Sequence, residues 1–399
     1  MPKILFVAMS ESVHTARWLN EIKDMGWDIH LFPSAEIRLH PDINNITIHG
    51  FTFLPKVTNT TLKFFGTYPI KLISIFYSIN YILEYFLYKI KNYRVNKLIK
   101  VIKTIKPDII HTLEMQHAGY ITLQAKEIIG ENFPPWIYTP WGSDLYFFGK
   151  FPEHEKKIKK VLSICNYYIP KSDRDIKLAT EFGFTGNILI KLPGNGGIDT
   201  LQCKTFWKQS KCSERNIIMI KGYQGQFNRA LIVLDAIELC ADLLKNYSII
   251  IYSVFTQDVK DKVNLIKKNT NLSIAILEQQ SHNDMLKLYG KSLMSISASI
   301  SDGVPNSLLE SMAMGSFPIE SNTSCANEWI IHEQTGYIIS PEDPESIVKA
   351  IKFTLDNDII INQSAEFNFQ IVKNTIDKSI INPKIINLYK EVFTDILCN

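Results

Sequence analysis

Two acids, Asp302 and Glu310, bracket the stretch of this 399-residue sequence whose residue types and spacing point most directly to chemistry. They lie in Ser299-Ile300-Ser301-Asp302-Gly303-Val304-Pro305-Asn306-Ser307-Leu308-Leu309-Glu310-Ser311-Met312-Ala313-Met314-Gly315, which reads as the end of a strand, a turn and a helix. Upstream, Met294, Ile296 and Ala298 alternate with Ser295, Ser297 and Ser299, the period of a strand. Asp302-Gly303 turns the chain, Pro305 suits a first helical turn, and Gly315 suits a C-terminal cap. Amides near Asn306, Ser307 and Leu308, at the N-terminus of such a helix, favour a phosphate. Glu310, lower on the helix, is suited to accept hydrogen bonds from ribose hydroxyls. A plainer reading stands beside this one, in which Asp302 caps the helix and Glu310 is a solvated helical residue.

The elements that would position these residues follow an α/β rhythm of short β-branched runs alternating with longer amphipathic segments. Strand candidates in the first half are Lys3 to Met9, Trp27 to Phe32, Asp108 to His111, Trp136 to Thr139, Tyr167 to Pro170 and Ile188 to Leu192. The segment Val13 to Met25 reads as a helix with Val13, Ala16, Leu19 and Ile22 on one face. Glycines and a proline break the pattern at Pro193-Gly194-Asn195-Gly196-Gly197, and a polar stretch runs on to Arg215, which reads as a linker. The rhythm restarts with Asn216 to Ile220, Ser248 to Val254, Ser273 to Leu277, Leu293 to Ser299 and Phe317 to Glu320. The expectation is two doubly wound domains, 1–192 and 213–375, with ligands in an interdomain cleft beyond the carboxyl ends of the strands. A dinucleotide dehydrogenase is disfavoured, because the turn after the first strand, Ala8-Met9-Ser10-Glu11-Ser12, lacks glycine.

Composition narrows the partners. With 46% hydrophobic and 21% charged residues the chain is of ordinary globular type, and a net charge of +3 argues against nucleic acid as a partner. The six cysteines form no CxxC pair, and no Asp-x-Asp sits in a loop suited to hold a metal, so no metal site is expected. The short apolar run Ile4 to Met9 is followed by Glu11 and His14 and carries no export-signal pattern; the expectation is a cytoplasmic protein. Between Thr61 and Lys106 nine basic residues, among them Lys91, Arg94, Lys97 and Lys100, face the single acid Glu84 and are interleaved with Phe, Tyr, Ile and Leu. This reads as an amphipathic basic surface for anionic headgroups or a lipid-linked phosphate, hence peripheral contact with the inner face of the membrane. The competing account packs the apolar face on the first domain and solvates the lysines.

The stretch around Asp302 and Glu310 resembles the acid-x7-acid motif of the family 4 retaining glycosyltransferases. Asn327-Glu328-Trp329-Ile330 and Thr335-Gly336-Tyr337-Ile338-Ile339 resemble the same family in their usual places, as do, more weakly, His14-Thr15-Ala16-Arg17-Trp18, Pro107-Asp108-Ile109-Ile110-His111, Trp141-Gly142-Ser143-Asp144 and Gly196-Gly197-Ile198-Asp199. The resemblance implies the GT-B fold: two Rossmann-like domains, the second binding the donor and the first the acceptor, and a last helix, within about 376–399, crossing back to the first domain. It implies catalytic roles for Asp302, Arg229 and Glu310, with Asp302 on sugar hydroxyls, Arg229 on the diphosphate and Glu310 on the ribose. Donor contacts fall on Lys221, Gly303, Val304, Pro305, Asn306, Ser307 and Leu308, with Glu278 and His282 where relatives hold the base, unless these two cap a helix.

The loop Lys221-Gly222-Tyr223-Gln224-Gly225-Gln226-Phe227-Asn228-Arg229 departs from the family, which places an Arg and a Lys about five residues apart. Arg229 is the phosphate contact of choice; Lys221 is a second partner or a surface lysine, and Lys191 could also reach the cleft. Trp141 stands where many relatives have a histidine. His14, Arg17, Glu114, His117 and Asp144 form the acceptor-side set, with His111 nearby and a capping role as the alternative for Asp144. The implied activity is metal-independent transfer from a nucleoside-diphosphate sugar, as co-substrate, to a glycan or lipid-linked acceptor in surface polysaccharide or lipopolysaccharide synthesis. The alternatives are a nucleotide-sugar epimerase on the same fold and a nonenzymatic carbohydrate-binding scaffold.

Overall fold

The computed structural model describes residues 1–35, 38–49, 92–192, 196–207 and 211–398. Residues 61–91 of the basic segment therefore lie outside the described residues. The chain divides into two compact units, Met1–Gly196 with Asn382–Asn399, and Gly197–Ile381.

The first unit is built on a seven-stranded parallel sheet of order β3-β2-β1-β4-β5-β6-β7. The strands are β1 (Lys3–Ala8), β2 (Asp28–Pro33), β3 (Thr47–Ile48), β4 (Ile109–Leu113), β5 (Trp136–Thr139), β6 (Tyr167–Tyr168) and β7 (Asn187–Ile188). Ile4, Leu5, Phe6, Val7 and Ala8 are fully buried, as expected for a central strand covered on both faces. The last strand is shorter than its apolar run because it lies at the sheet edge, where Ile188 and Ile190 are exposed. Thr47–Ile48 escapes a periodicity reading because two residues carry no period.

The helix Val13–Ile22 starts where the Ser12 side chain accepts from the His14 amide, and it buries Ala16, Trp18, Leu19 and Ile22. It stops short of Met25, and Gly26 takes a positive φ of 75° at the turn into β2.

The helix Tyr93–Ile105 decides half of the basic-segment question. Its apolar side, Val95, Leu98, Ile99, Ile102 and Ile105, is buried in the first unit's core and is not available to lipid. Arg94 turns inward and donates to the carbonyls of Pro33 and Ser34, so it pins the exit of β2 instead of facing a membrane. Lys100, Lys103 and Lys106 are exposed. Among the described residues, no helix is long and apolar enough to cross a membrane.

The second unit carries a six-stranded parallel sheet of order β10-β9-β8-β11-β12-β13. Its strands are β8 (Ile217–Lys221), β9 (Ser248–Tyr252), β10 (Ser273–Ile276), β11 (Ser292–Ser297), β12 (Phe317–Ser321) and β13 (Tyr337–Ile339). The polar stretch read as linker contains the helix Thr200–Phe206, capped by Asp199 accepting from the Gln202 amide at 2.9 Å. It belongs to the second unit, tied by Thr200 donating to Asp377. Its polarity is that of a short surface helix, which composition does not separate from a linker.

The final helix, Lys378–Cys398, joins the first unit from Asn382 onward through a buried relay. Trp18 Nε1 donates to Tyr389 Oη at 2.7 Å, Tyr389 Oη lies 2.7 Å from His111 Nδ1, and His111 Nε2 lies 2.8 Å from Thr139 Oγ1. Burial lowers the His111 pKa to about 3, with Lys171 adding a smaller push in the same direction, so the ring is neutral. Since Tyr389 accepts from Trp18, its proton points to Nδ1, and Nε2 carries the ring hydrogen toward Thr139. Tyr389→Phe leaves the Trp18 N–H and His111 Nδ1 without their partner and should lower stability by about 2–4 kcal/mol. Equilibrium denaturation checks this; a loss below about 0.5 kcal/mol would mean that water replaces the hydroxyl.

Candidate active site

In a parallel sheet every strand delivers its carboxyl end to the same edge, so the residues ending β8, β11 and β12 meet. Lys221, the last residue of β8, places Nζ 3.7 Å from Asp302 Oδ2, and Asp302 Oδ1 accepts from the Gly303 amide at 2.8 Å. The Lys221 side chain is only 14% exposed, which removes the surface-lysine reading. Burial alone would lower its pKa, but the charge of Asp302, supported by Tyr252, Glu320 and Tyr223, outweighs burial and raises it, so the ammonium stays charged. The loop that follows β8 is zipped onto the chain leaving β11: Arg229 N donates to Ala298 O at 2.9 Å and Ile300 N to Phe227 O at 2.7 Å. The Arg229 guanidinium bonds the carbonyls of Gly225, Gln226 and Asn228 and pairs with Glu342 at 3.2 Å.

The helix Asn306–Ala313 follows, with Pro305 and not Asp302 at its cap position. Pro305 offers no side-chain acceptor to the first amides, and the buried Ser307 Oγ has no hydrogen-bond partner among the described residues. Glu310 is not a solvated residue: its side chain is 13% exposed and lies 2.9 Å from His282 Nε2. The structure thus brings together two pairs from the donor-side set, Lys221 with Asp302 and Glu310 with His282. Glu278 stays exposed on the loop after β10.

The far end of this helix is held by Arg215, whose buried Nη1 donates to the carbonyls of Ser292, Met314 and Gly315 at 3.1, 3.1 and 3.2 Å. A cation at a helix C-terminus also complements its dipole. Gly315 sits at φ 66°, with the Trp207 ring 2.5 Å from where a Cβ would be.

In the first unit Glu114, His117 and Asp144 lie together, and His14 joins them through Trp141. Asp144 is 2% exposed, and its Oδ2 accepts from the Met115 and Trp141 amides and the Tyr138 hydroxyl. Burial, then the charge of Glu114, pushes its pKa well up, and three donors already hold it; it is a turn-holding residue and not the acceptor contact expected. Glu114, at φ 84°, accepts from the His117 and Ala118 amides and from His117 Nδ1 at 3.2 Å. That hydrogen bond raises the pKa of His117, with burial opposing, and half of the His117 side chain is exposed. His14 packs edge-on against Trp141 at 5.3 Å, and Arg17 is half-buried on the same helix. Lys191 pairs with Asp173 at 2.7 Å, and His111 is committed to the relay above.

The profile of the group 1 glycosyl transferases matches residues 206–374, and that of the glycosyl transferase 4-like proteins matches 3–88 and 83–169. The chain is a GT-B glycosyltransferase. No curated protein matches it in sequence. Among solved structures it is similar to a sucrose-phosphate synthase from Thermosynechococcus elongatus, at 12% identity and a TM-score of 0.69 over 99% of this chain and 100% of the other. A glycosyltransferase from Rickettsia africae superposes with a TM-score of 0.64 at 16% identity over 100% and 99% of the two chains. HepE from Anabaena, solved with UDP-glucose, gives 0.66 at 13% identity over 98% and 100%.

Sequence reasoning missed two acids around the glycosyltransferase's cationic residues, Glu320 and Glu342. Glu342 lies far along the chain from Arg229 and gave no signal. Glu320 did: it is a charged residue inside the otherwise uncharged strand Phe317-Pro318-Ile319-Glu320-Ser321, buried throughout. Gly315→Ala tests the support of the helix Asn306–Ala313. It forces a side chain into a left-handed conformation and onto the Trp207 ring, so stability should fall by about 2–4 kcal/mol. A melting temperature equal to that of wild type would show that the ring yields freely.

Proposed function

We propose that this glycosyltransferase is a retaining, metal-independent enzyme that moves a hexosyl or N-acetylhexosaminyl group from a nucleoside-diphosphate sugar to a hydroxyl of a lipid-linked glycan acceptor, in surface polysaccharide or lipopolysaccharide synthesis. The observation that carries the donor half is the largely buried, charged Lys221 beside Asp302, followed by a helix whose cap offers no side-chain acceptor and whose Ser307 hydroxyl has no partner among the described residues. A diphosphate satisfies those donors at once. UDP-glucose in the Anabaena neighbour supports a donor of this class.

In this reading Asp302 receives sugar hydroxyls and Glu310, oriented by His282, receives the ribose. Lys221, Arg229 and the helix amides stabilise the charge that grows on the departing diphosphate, supplying the positive charge that a divalent ion would otherwise bring. The ion pair of Arg229 with Glu342 is with a 65% exposed carboxylate, which a more highly charged phosphate can replace. Attack on the face of departure lets the leaving phosphate take the acceptor's proton, so no separate base is needed. The acceptor half rests on the first unit, where a cavity of about 320 Å³ is lined by Gln116, His117, Tyr120, Gln124 and Lys157. The exposed Lys100, Lys103 and Lys106 support electrostatic contact with an anionic membrane.

Glu310→Ala should raise the donor KM by about 10- to 100-fold, the loss of a hydrogen bond to a charged group, with an unchanged circular-dichroism spectrum. Donor class is read from thermal shifts with UDP, GDP, CDP and ADP in wild type. Unchanged kinetics in folded Glu310→Ala, or no shift with any of the four, would sink the donor assignment. Turnover should also persist in EDTA; a loss reversed by magnesium or manganese would give the diphosphate chemistry to a metal.

A further inference from the structure

Glu320 has no role in the mechanism above, yet its setting is unusual. It is the fourth residue of β12, paired in register with Ser297 of β11 and Ile338 of β13, and it is 2% exposed. Its Oε2 is buried with no hydrogen-bond partner among the described residues. The charged and titratable groups that act on it are Lys221 from β8, Tyr252 from β9, Asp302 from the loop after β11 and Tyr289 from the helix before β11, and its carboxyl is also hydrogen-bonded by the Ser297 side chain and the Ser321 backbone. Lys221 is the cation among them, and Asp302 already pairs with it.

We propose that Glu320 is a proton-linked positioning residue of the donor site: as the neutral acid it leaves the Lys221 ammonium to Asp302 and the donor diphosphate, and on ionising it draws that ammonium to itself. The proposal rests on the donor-site reading above. A second full carboxylate beside one ammonium would leave the cluster with a net negative charge, and an incoming diphosphate would add more. Binding therefore requires the proton on Glu320. Burial, with Asp302 adding to it and with Lys221 and hydrogen bonds from Ser297 and Ser321 opposing, raises the Glu320 pKa to about 8, so the proton is held at neutral pH and lost just above it. Lys221 is raised and Tyr252 is pushed up to about 12, so neither changes charge over the same interval.

Two measurements on wild type, Glu320→Gln and Glu320→Ala test this. The first is the Kd of whichever of UDP, GDP, CDP or ADP binds most tightly, at pH 7.0 and 9.0. Release of one proton with a pKa near 8 weakens wild-type binding about tenfold across that interval. Glu320→Gln, which cannot ionise, should change by no more than about twofold. The second is thermal melting without ligand. An unfolded glutamate ionises near 4.3, whereas the native one holds its proton to about 8. Wild type therefore loses stability relative to Glu320→Gln as pH rises between those values, and the loss levels off above the higher one. The melting-temperature advantage of Glu320→Gln should grow by about 5 °C or more from pH 5.0 to 9.0. Should Glu320→Gln fold poorly, Glu320→Ala provides the same pH comparisons. Parallel Kd changes in wild type and variants, or a melting difference independent of pH, would overturn the proposal. Failure of all four nucleotides to bind at pH 7.0 would overturn the donor-site reading beneath it, and the melting comparison would still decide whether Glu320 carries the proton.

Discussion

A buried ammonium must keep a counter-charge, and much of the second unit can be understood from that requirement at Lys221. Taking a cation out of water costs several kcal/mol unless a partner is fixed close by. The parallel sheet meets the requirement by ending β8, β11 and β12 at one edge, so that the chain leaving β11 can present Asp302 to Lys221. The loop after β8 is bonded to residues 298–300, which fixes Arg229 relative to the same segment. The pair is thus built by backbone topology, and its charge is available only because desolvation has not neutralised it.

The buried polar groups of the two units fall into different classes. Asp144, His111 and Tyr389 each have their hydrogen-bonding capacity met by neighbours, and they hold a turn and the final helix in place. Ser307 Oγ and Glu320 Oε2, beside the cationic edge of the second sheet, do not. Leaving a buried polar atom unpaired costs about 1–3 kcal/mol. That cost is tolerable where a ligand completes the set.

Support for the helix Asn306–Ala313 comes from behind. Arg215 takes two carbonyls at its C-terminal end and ties them to the start of β11 through the Ser292 carbonyl, and Trp207 closes over Gly315, so the helix cannot slide along its axis without losing those bonds. Its N-terminus is consequently presented at a fixed height beyond β11. The likeness to solved GT-B structures at 12–16% identity speaks to this frame alone; the chemistry lies in the residues that the frame carries.

The alternation of β-branched runs with amphipathic segments determined two doubly wound units, because parallel strands buried on both faces leave a strong hydrophobic signature. The spacing of Asp302 and Glu310 on a strand–turn–helix, and the glycine at its end, were equally legible, since local geometry demands those residue types. Tertiary structure alone decided which charges meet. Lys221 and Asp302 are far apart in sequence, as are Glu310 and His282, and only strand order brings each pair together. It also decided against local appearances: Asp144 is sealed by three donors, Arg94 turns inward to Pro33 and Ser34, and the apolar side of Tyr93–Ile105 is spent on the core. Composition records how many charges a segment has, but burial and partner distance set what each charge can do, and both are properties of the folded chain.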